Sequence, residues 1–152
     1  MTAAQIKTQL LPRIQYGALP FRGAGEAMEI LLVTSRETRR WIVPKGWPIR
    51  GLSGAEAAAR EAYEEAGVTG EITAEAVGSF TYEKVLSKNA RRVMCDVALY
   101  PLRVTQELND WPEAGQRERR WMPWQDAVAR IREDNLRAVI IQFVLGTAKA
   151  DI

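Results

Sequence analysis

Two runs rich in apolar residues, RIQYGALPF (13–21) and MEILLVTS (28–35), are separated by the turn-like RGAGEA. This pattern predicts two strands, with RWIVP (40–44) a short third. The pattern then changes. From Ser53 to Ala66 small residues recur at helical spacing, so that Ala55, Ala59, Ala62, Tyr63 and Ala66 share one stripe at about 100° per residue. Ser53 with Glu56 three residues on has the form of a capping box, and Gly67 supplies the stop, which together predict a helix over 53–66. Strand composition returns in EITAEAVGSFTYEKV (71–85) and RRVMCDVALYPLRV (91–104), which predict a hairpin turning near LSKNA (86–90). ERRWMPWQDAVARI (118–131) reads as a brief strand running into a helix, and NLRAVIIQFVLGTA (135–148) as a closing helix with an apolar stripe. Strands, helix, strands and helix in that order predict an α/β (α+β) fold, a mixed sheet with helices packed on it.

Length and composition narrow this further. A chain of 152 residues with 47% hydrophobic content suits one domain with a real core, and with no linker-like tract the domain is expected to span residues 1–152. No run approaches the roughly eighteen apolar residues of a membrane span, and MTAAQIKTQLLPRI lacks the features of a secretory signal. The expected setting is cytoplasmic, without membrane association. Cys95 is the single cysteine and reads as a buried core thiol. There is no histidine. Ser-His and Cys-His nucleophilic systems and imidazole-held metals are thereby excluded, and catalysis must rest on carboxylates, Lys, Tyr or a hard metal held by oxygen. A net charge of +2 is too slight to point to nucleic acid. Basic residues gather in three groups, around Arg39, Arg40, Lys45 and Arg50, around Lys84, Lys88, Arg91 and Arg92, and at Arg117, Arg119 and Arg120. Each group taken alone reads as ordinary solvated surface.

The helix over 53–66 carries the most informative chemistry. Glu61 and Glu65 stand at i and i+4 with Glu64 between them, and like charges so placed cost a few tenths of a kcal/mol per pair. One reading is an amphipathic helix whose acids simply face water. The other rests on the preceding PKGWPIRG (44–51), a loop of glycines, prolines and cations that can present backbone groups and charge to phosphate while the acids hold Mg²⁺. Arg60 has carboxylates one turn away on either side, Glu56 and Glu64, and either can pair with it.

Spaced as G-x5-x-x7-R-E-A-x-E-E-x-G-V, residues Gly46, Arg60, Glu61, Glu64, Glu65, Gly67 and Val68 resemble the signature of the Nudix hydrolases. Leu52 stands where that signature has its first glutamate, which in the family helps hold the box arginine, and Glu56 is placed to substitute. RRWIVPKG, EEAGVTG and VTQELNDWPEAGQRERRW extend the resemblance to the branch of diphosphoinositol polyphosphate phosphohydrolases and dinucleoside polyphosphate hydrolases. The resemblance implies an α/β/α sandwich, dependence on Mg²⁺ with Mn²⁺ as a substitute, and attack of water on a phosphoanhydride bond. It implies Glu64 and Glu65 as metal ligands, Glu61 as ligand or base, and the Gly46 carbonyl as a further ligand, with Arg60, Glu61 and Glu64 as the catalytic set. Arg40, Lys45, Gly46 and Arg50, then Lys84, Arg91 and Arg92, are the candidates for gripping a phosphorylated small molecule. Arg suits that role through bidentate contact. Trp121 and Trp124 are candidates to stack on a base or, alternatively, to fill the core. The alternatives are a hydrolase of ADP-ribose or nucleotide sugars and a Nudix-like domain that binds without cleaving. Nucleic acid is not an expected partner, and oligomeric state is open.

Overall fold

Helix α1 (Gly54–Ala66) forms where its sequence signals place it. Ser53 Oγ accepts from Glu56 N at 3.1 Å and Glu56 Oε1 accepts from Ser53 N at 2.9 Å, which completes the capping box. Gly67 ends the helix at φ 65° and ψ 35°, a left-handed conformation that glycine adopts without steric cost, and its N–H donates to the Tyr63 carbonyl. The computed structural model describes residues 13–86 and 91–150. Ser53→Ala is expected to lower stability by about 1 kcal/mol, read as an earlier midpoint in urea with an unchanged slope. The stripe differs in detail from its expectation. Its centre is the row Ala58, Ala62 and Ala66, all fully buried, and Tyr63, about 100° further round, is exposed.

Strands β1 (Arg13–Arg22), β2 (Glu29–Thr34), β3 (Trp41–Ile42), β4 (Lys45–Gly46), β5 (Val68–Ile72), β6 (Gly78–Val85), β7 (Arg92–Glu107) and β8 (Arg119–Pro123) make one mixed sheet. Its continuous path is β3-β2-β1-β7-β5. β1 runs parallel to β7, from Arg13 opposite Cys95 to Phe21 opposite Arg103, and the remaining pairings are antiparallel. The run 71–85 is not one strand. β7 is 16 residues long, and β5 and β6 lie end to end along the same edge of it, separated by a bend in which Thr73 N donates to Pro101 O and Val77 N to Leu99 O. The β6–β7 hairpin is present, with Val85 opposite Arg92, while most of its turn, residues 87–90, lies outside the described residues.

Alternation along the central strands feeds two cores. Ala18, Leu31 and Val33 face α1 together with Ala58, Ala62 and Ala66, whereas Leu19, Ile30 and Leu32 face the opposite side. That second side is covered by helices α2 (Trp124–Arg130) and α3 (Asp134–Ala150), through Ala127, Leu136, Ile140 and Val144. Helices on both faces make the expected α/β/α sandwich. No described helix is long and apolar enough to cross a membrane. One departure from regular sheet positions the site: β1 pairs with β2 at Phe21–Arg22 but with the two-residue β4 at Tyr16–Gly17. The sheet divides there, and a cavity opens between Gln15 of β1, Ile42 of β3 and Lys45 of β4.

Candidate metal and phosphate site

The cavity measures about 690 Å³. Its acidic end is built by α1. Glu61 and Glu65, one turn apart on α1, bring their carboxyls close enough to interact. Such a contact requires a proton between them or a cation in its place, because two ionised carboxylates are both acceptors. Burial pushes the Glu65 carboxyl up to about 8, against the pull of the Arg117 guanidinium. Burial also raises Glu61. Gly46 closes the cluster from the β4 side, and a side chain there would run into the carboxyl carbon and oxygens of Glu61. Backbone and carboxylate therefore meet only because this position has no Cβ.

Glu64 lines the same cavity but stands apart, with Arg60 Nη1 at 4.0 Å from its Oε1. Among the described residues no three acidic side chains converge as a ready metal cluster. This departs from the expected trio, for a local reason: Glu61 and Glu65 occupy one i, i+4 row, and Glu64 occupies the row of Arg60. The donor set still suits a hard divalent ion, since Mg²⁺ is commonly held by one or two carboxylates, with waters and substrate phosphates completing the shell.

Cations meet this end from the other elements. Lys45 faces Glu65 from β4, its ammonium 4.6 Å from the centre of the Tyr82 ring, and burial lowers its pKa to about 8. Tyr82 in turn donates to Gln15 Oε1 at 2.6 Å, which fixes the ring under the lysine. Arg117 was read as surface and is not. It donates to Glu113 Oε1 at 2.9 Å and to the Thr34 carbonyl at 3.1 Å, with Glu65 Oε1 at 3.8 Å, and its side chain is only 9% exposed. The sequence offered one faint signal, the carboxylate of Glu113 four residues earlier, in a segment with no helical pattern to make that spacing meaningful. Arg40 lines the cavity and pairs with Glu133 at 3.5 Å, and Lys84 lines it from β6.

The other expected residues sit elsewhere. Arg60 is outside the cavity lining, exposed on α1, and it pairs with Glu64, because Glu56 is occupied by the capping box. Arg50 is exposed in the turn before α1 and Arg91 is exposed ahead of β7, both outside the lining. Arg92 is drawn to Glu83 at 3.5 Å. Trp121 donates to Glu107 and lies under Arg22, and Trp124 packs against the core with α2, so neither reaches the cavity. Cys95 is a fully buried free thiol, as expected.

Residues 11–143 match the family model of the NUDIX domain. The chain belongs to the Nudix family. It is 34% identical over 134 residues to Nudix hydrolase 21, chloroplastic, of Arabidopsis thaliana, an alignment covering 84% of this chain and 64% of that protein. It is 36% identical over 112 residues to human diphosphoinositol polyphosphate phosphohydrolase 3-beta, covering 72% of this chain and 63% of that one. The chain thus spans somewhat under two thirds of these relatives. Its fold is similar to that of the Caenorhabditis elegans Ap4A hydrolase in a binary complex, with a TM-score of 0.61 and 20% identity over 90% of this chain and 98% of that one. In this fold α1 borders the cavity, with Glu61, Glu64 and Glu65 in its wall.

Proposed function

We propose that this Nudix domain is a Mg²⁺-dependent pyrophosphohydrolase. It acts on a phosphoanhydride bond of a small phosphorylated compound, in the class of diphosphoinositol polyphosphates or dinucleoside polyphosphates, with ADP-ribose and nucleotide sugars as the alternative. The observation that carries the reading is the Glu61–Glu65 carboxyl pair, Glu65 buried and Glu61 half-buried beside the backbone of Gly46, an arrangement that a divalent ion relieves. The hydrolase names of the relatives support it. Glu61, Glu65 and the Gly46 carbonyl would hold the ion, and Glu64, on the same wall, is placed either to join them or to accept a proton from water. Such an ion supplies charge neutralisation on the phosphate oxygens and a lowered pKa for water. Lys45, Arg40 and Lys84 grip the phosphates, and in reactions of this kind positioning does most of the remaining work.

The grip is tested by charge reversal at two arginines that the sequence could not separate. Arg40→Glu is expected to raise KM about tenfold or more, while Arg50→Glu, outside the cavity, leaves it unchanged; equal effects would undo the assignment. A second reading, a binder that does not cleave, has two specific observations behind it: Leu52 replaces the first box glutamate, and Arg60 is exposed and pairs with Glu64. Products identified by mass after incubation with and without Mg²⁺, across inositol pyrophosphates, dinucleoside polyphosphates and ADP-ribose, separate the two. Metal-dependent turnover of any one supports the hydrolase, and none on the whole panel supports the binder.

A further inference from the structure

Trp47 is the one tryptophan of the five that is both exposed, at 38%, and part of the cavity wall. Trp41 and Trp124 pack on the core, Trp111 lies under Arg119, and Trp121 is tied to Glu107. Its backbone is fixed on both sides. Gly46 is held in register opposite Tyr16, and Pro48 restricts the residue before it to extended conformations. Because Gly46 abuts the Glu61 carboxyl, the indole is anchored about 3.8 Å of chain away from the acidic end. With Pro48 and Ile49 it forms a continuous apolar stretch of a cavity wall that is elsewhere mostly charged or polar. That charge is not the kind a densely phosphorylated ring would require. The described lining holds seven glutamates against five lysines and arginines, and three of those cations, Arg36, Arg40 and Arg117, already have carboxylate partners.

We propose that Trp47 determines specificity, by stacking on a planar aromatic group that the substrate carries close to the bond to be cleaved. The inference rests on the pyrophosphohydrolase reading and deepens it: a compound with few phosphates and an aromatic ring fits this cavity, and a many-phosphate ring without one does not. An aromatic platform of this kind accepts any flat ring, so it selects for the presence of the ring more than for its identity.

The test compares wild type, Trp47→Ala and Trp47→Phe on diadenosine tetraphosphate and ADP-ribose, with inorganic tripolyphosphate as the ring-free probe, used as substrate or as competitive inhibitor. Trp47→Ala is expected to raise KM for the adenosine compounds by about tenfold to a hundredfold with kcat little changed, to leave the constant for tripolyphosphate alone, and to melt as wild type does. Trp47→Phe should recover most of the loss. An equal change for both kinds of compound, or no change for the adenosine ones, overturns the proposal. Adenosine-bearing compounds should also quench tryptophan fluorescence in wild type and not in Trp47→Ala. If no phosphoanhydride is turned over, the hydrolase reading fails, yet this signal still decides about Trp47: quenching lost in the variant supports stacking, and no quenching in wild type overturns it.

Discussion

Gly46→Ala is expected to leave the fold standing and to lower kcat by about a hundredfold. The residue sits in β4, and a methyl group on it would occupy the space of the Glu61 carboxyl. What must give way is the far end of a flexible side chain, not backbone, so the stability change should stay within about 1 kcal/mol. The position of that end is what the chemistry depends on. Displacing a reacting group or ligand by about 1 Å costs on the order of a hundredfold in rate. The variant therefore separates geometry from folding, which truncating the glutamate itself does less cleanly. Non-additivity provides the check: in a Glu61→Gln background the added alanine should cost little more, because both changes disable the same carboxylate. A kcat within about threefold of wild type, with unchanged melting, would mean that the contact between Gly46 and Glu61 does not serve the reaction.

The contrast between Gly46 and Arg117 shows which parts of this molecule can be read from sequence. Local signals survive folding almost intact. The Ser53–Glu56 capping box, the stop at Gly67 and the strand-like runs of β1 and β2 are each determined by residues within a few positions of one another, and each appears in the structure as expected. The division of 71–85 into β5 and β6 is set by the length of β7, a strand that comes later in the chain, so alternation within the segment could not reveal it. The site behaves the same way. Glu61 and Glu65 were legible because helical spacing alone places them in one row. Arg117 was not, since its partners Thr34 and Glu65 are remote in sequence and meet it only when β2, α1 and the loop before β8 are assembled. Arg60 failed in the opposite direction: its spacing from both Glu56 and Glu64 was read correctly, but the capping box had already claimed Glu56.

Glu65→Gln is expected to abolish most turnover, by at least about a hundredfold, while making the metal-free protein more stable. The Glu65 side chain is buried, and burial holds its carboxyl near 8 instead of 4.5. The folded chain thus keeps a proton that the unfolded chain gives up. Stability from this group is full below about 4.5 and lost as pH rises through about 8. In EDTA, wild type should weaken from pH 5 to pH 8 or 9 by on the order of 2 kcal/mol relative to Glu65→Gln, whose neutral amide has no proton to lose. Arg117 is not orphaned by the change, since it keeps Glu113 at 2.9 Å and the Thr34 carbonyl at 3.1 Å. Mg²⁺ should reverse the order. An ion that binds only the folded wild type adds about 2.7 kcal/mol at a hundred times its dissociation constant, and the variant, lacking one of the two paired carboxylates, gains much less. Denaturant melts of both proteins, with EDTA and with Mg²⁺ at pH 8.5, show whether the curves cross. If Mg²⁺ stabilised both equally, Glu65 would be a buried structural acid and the ion would sit elsewhere.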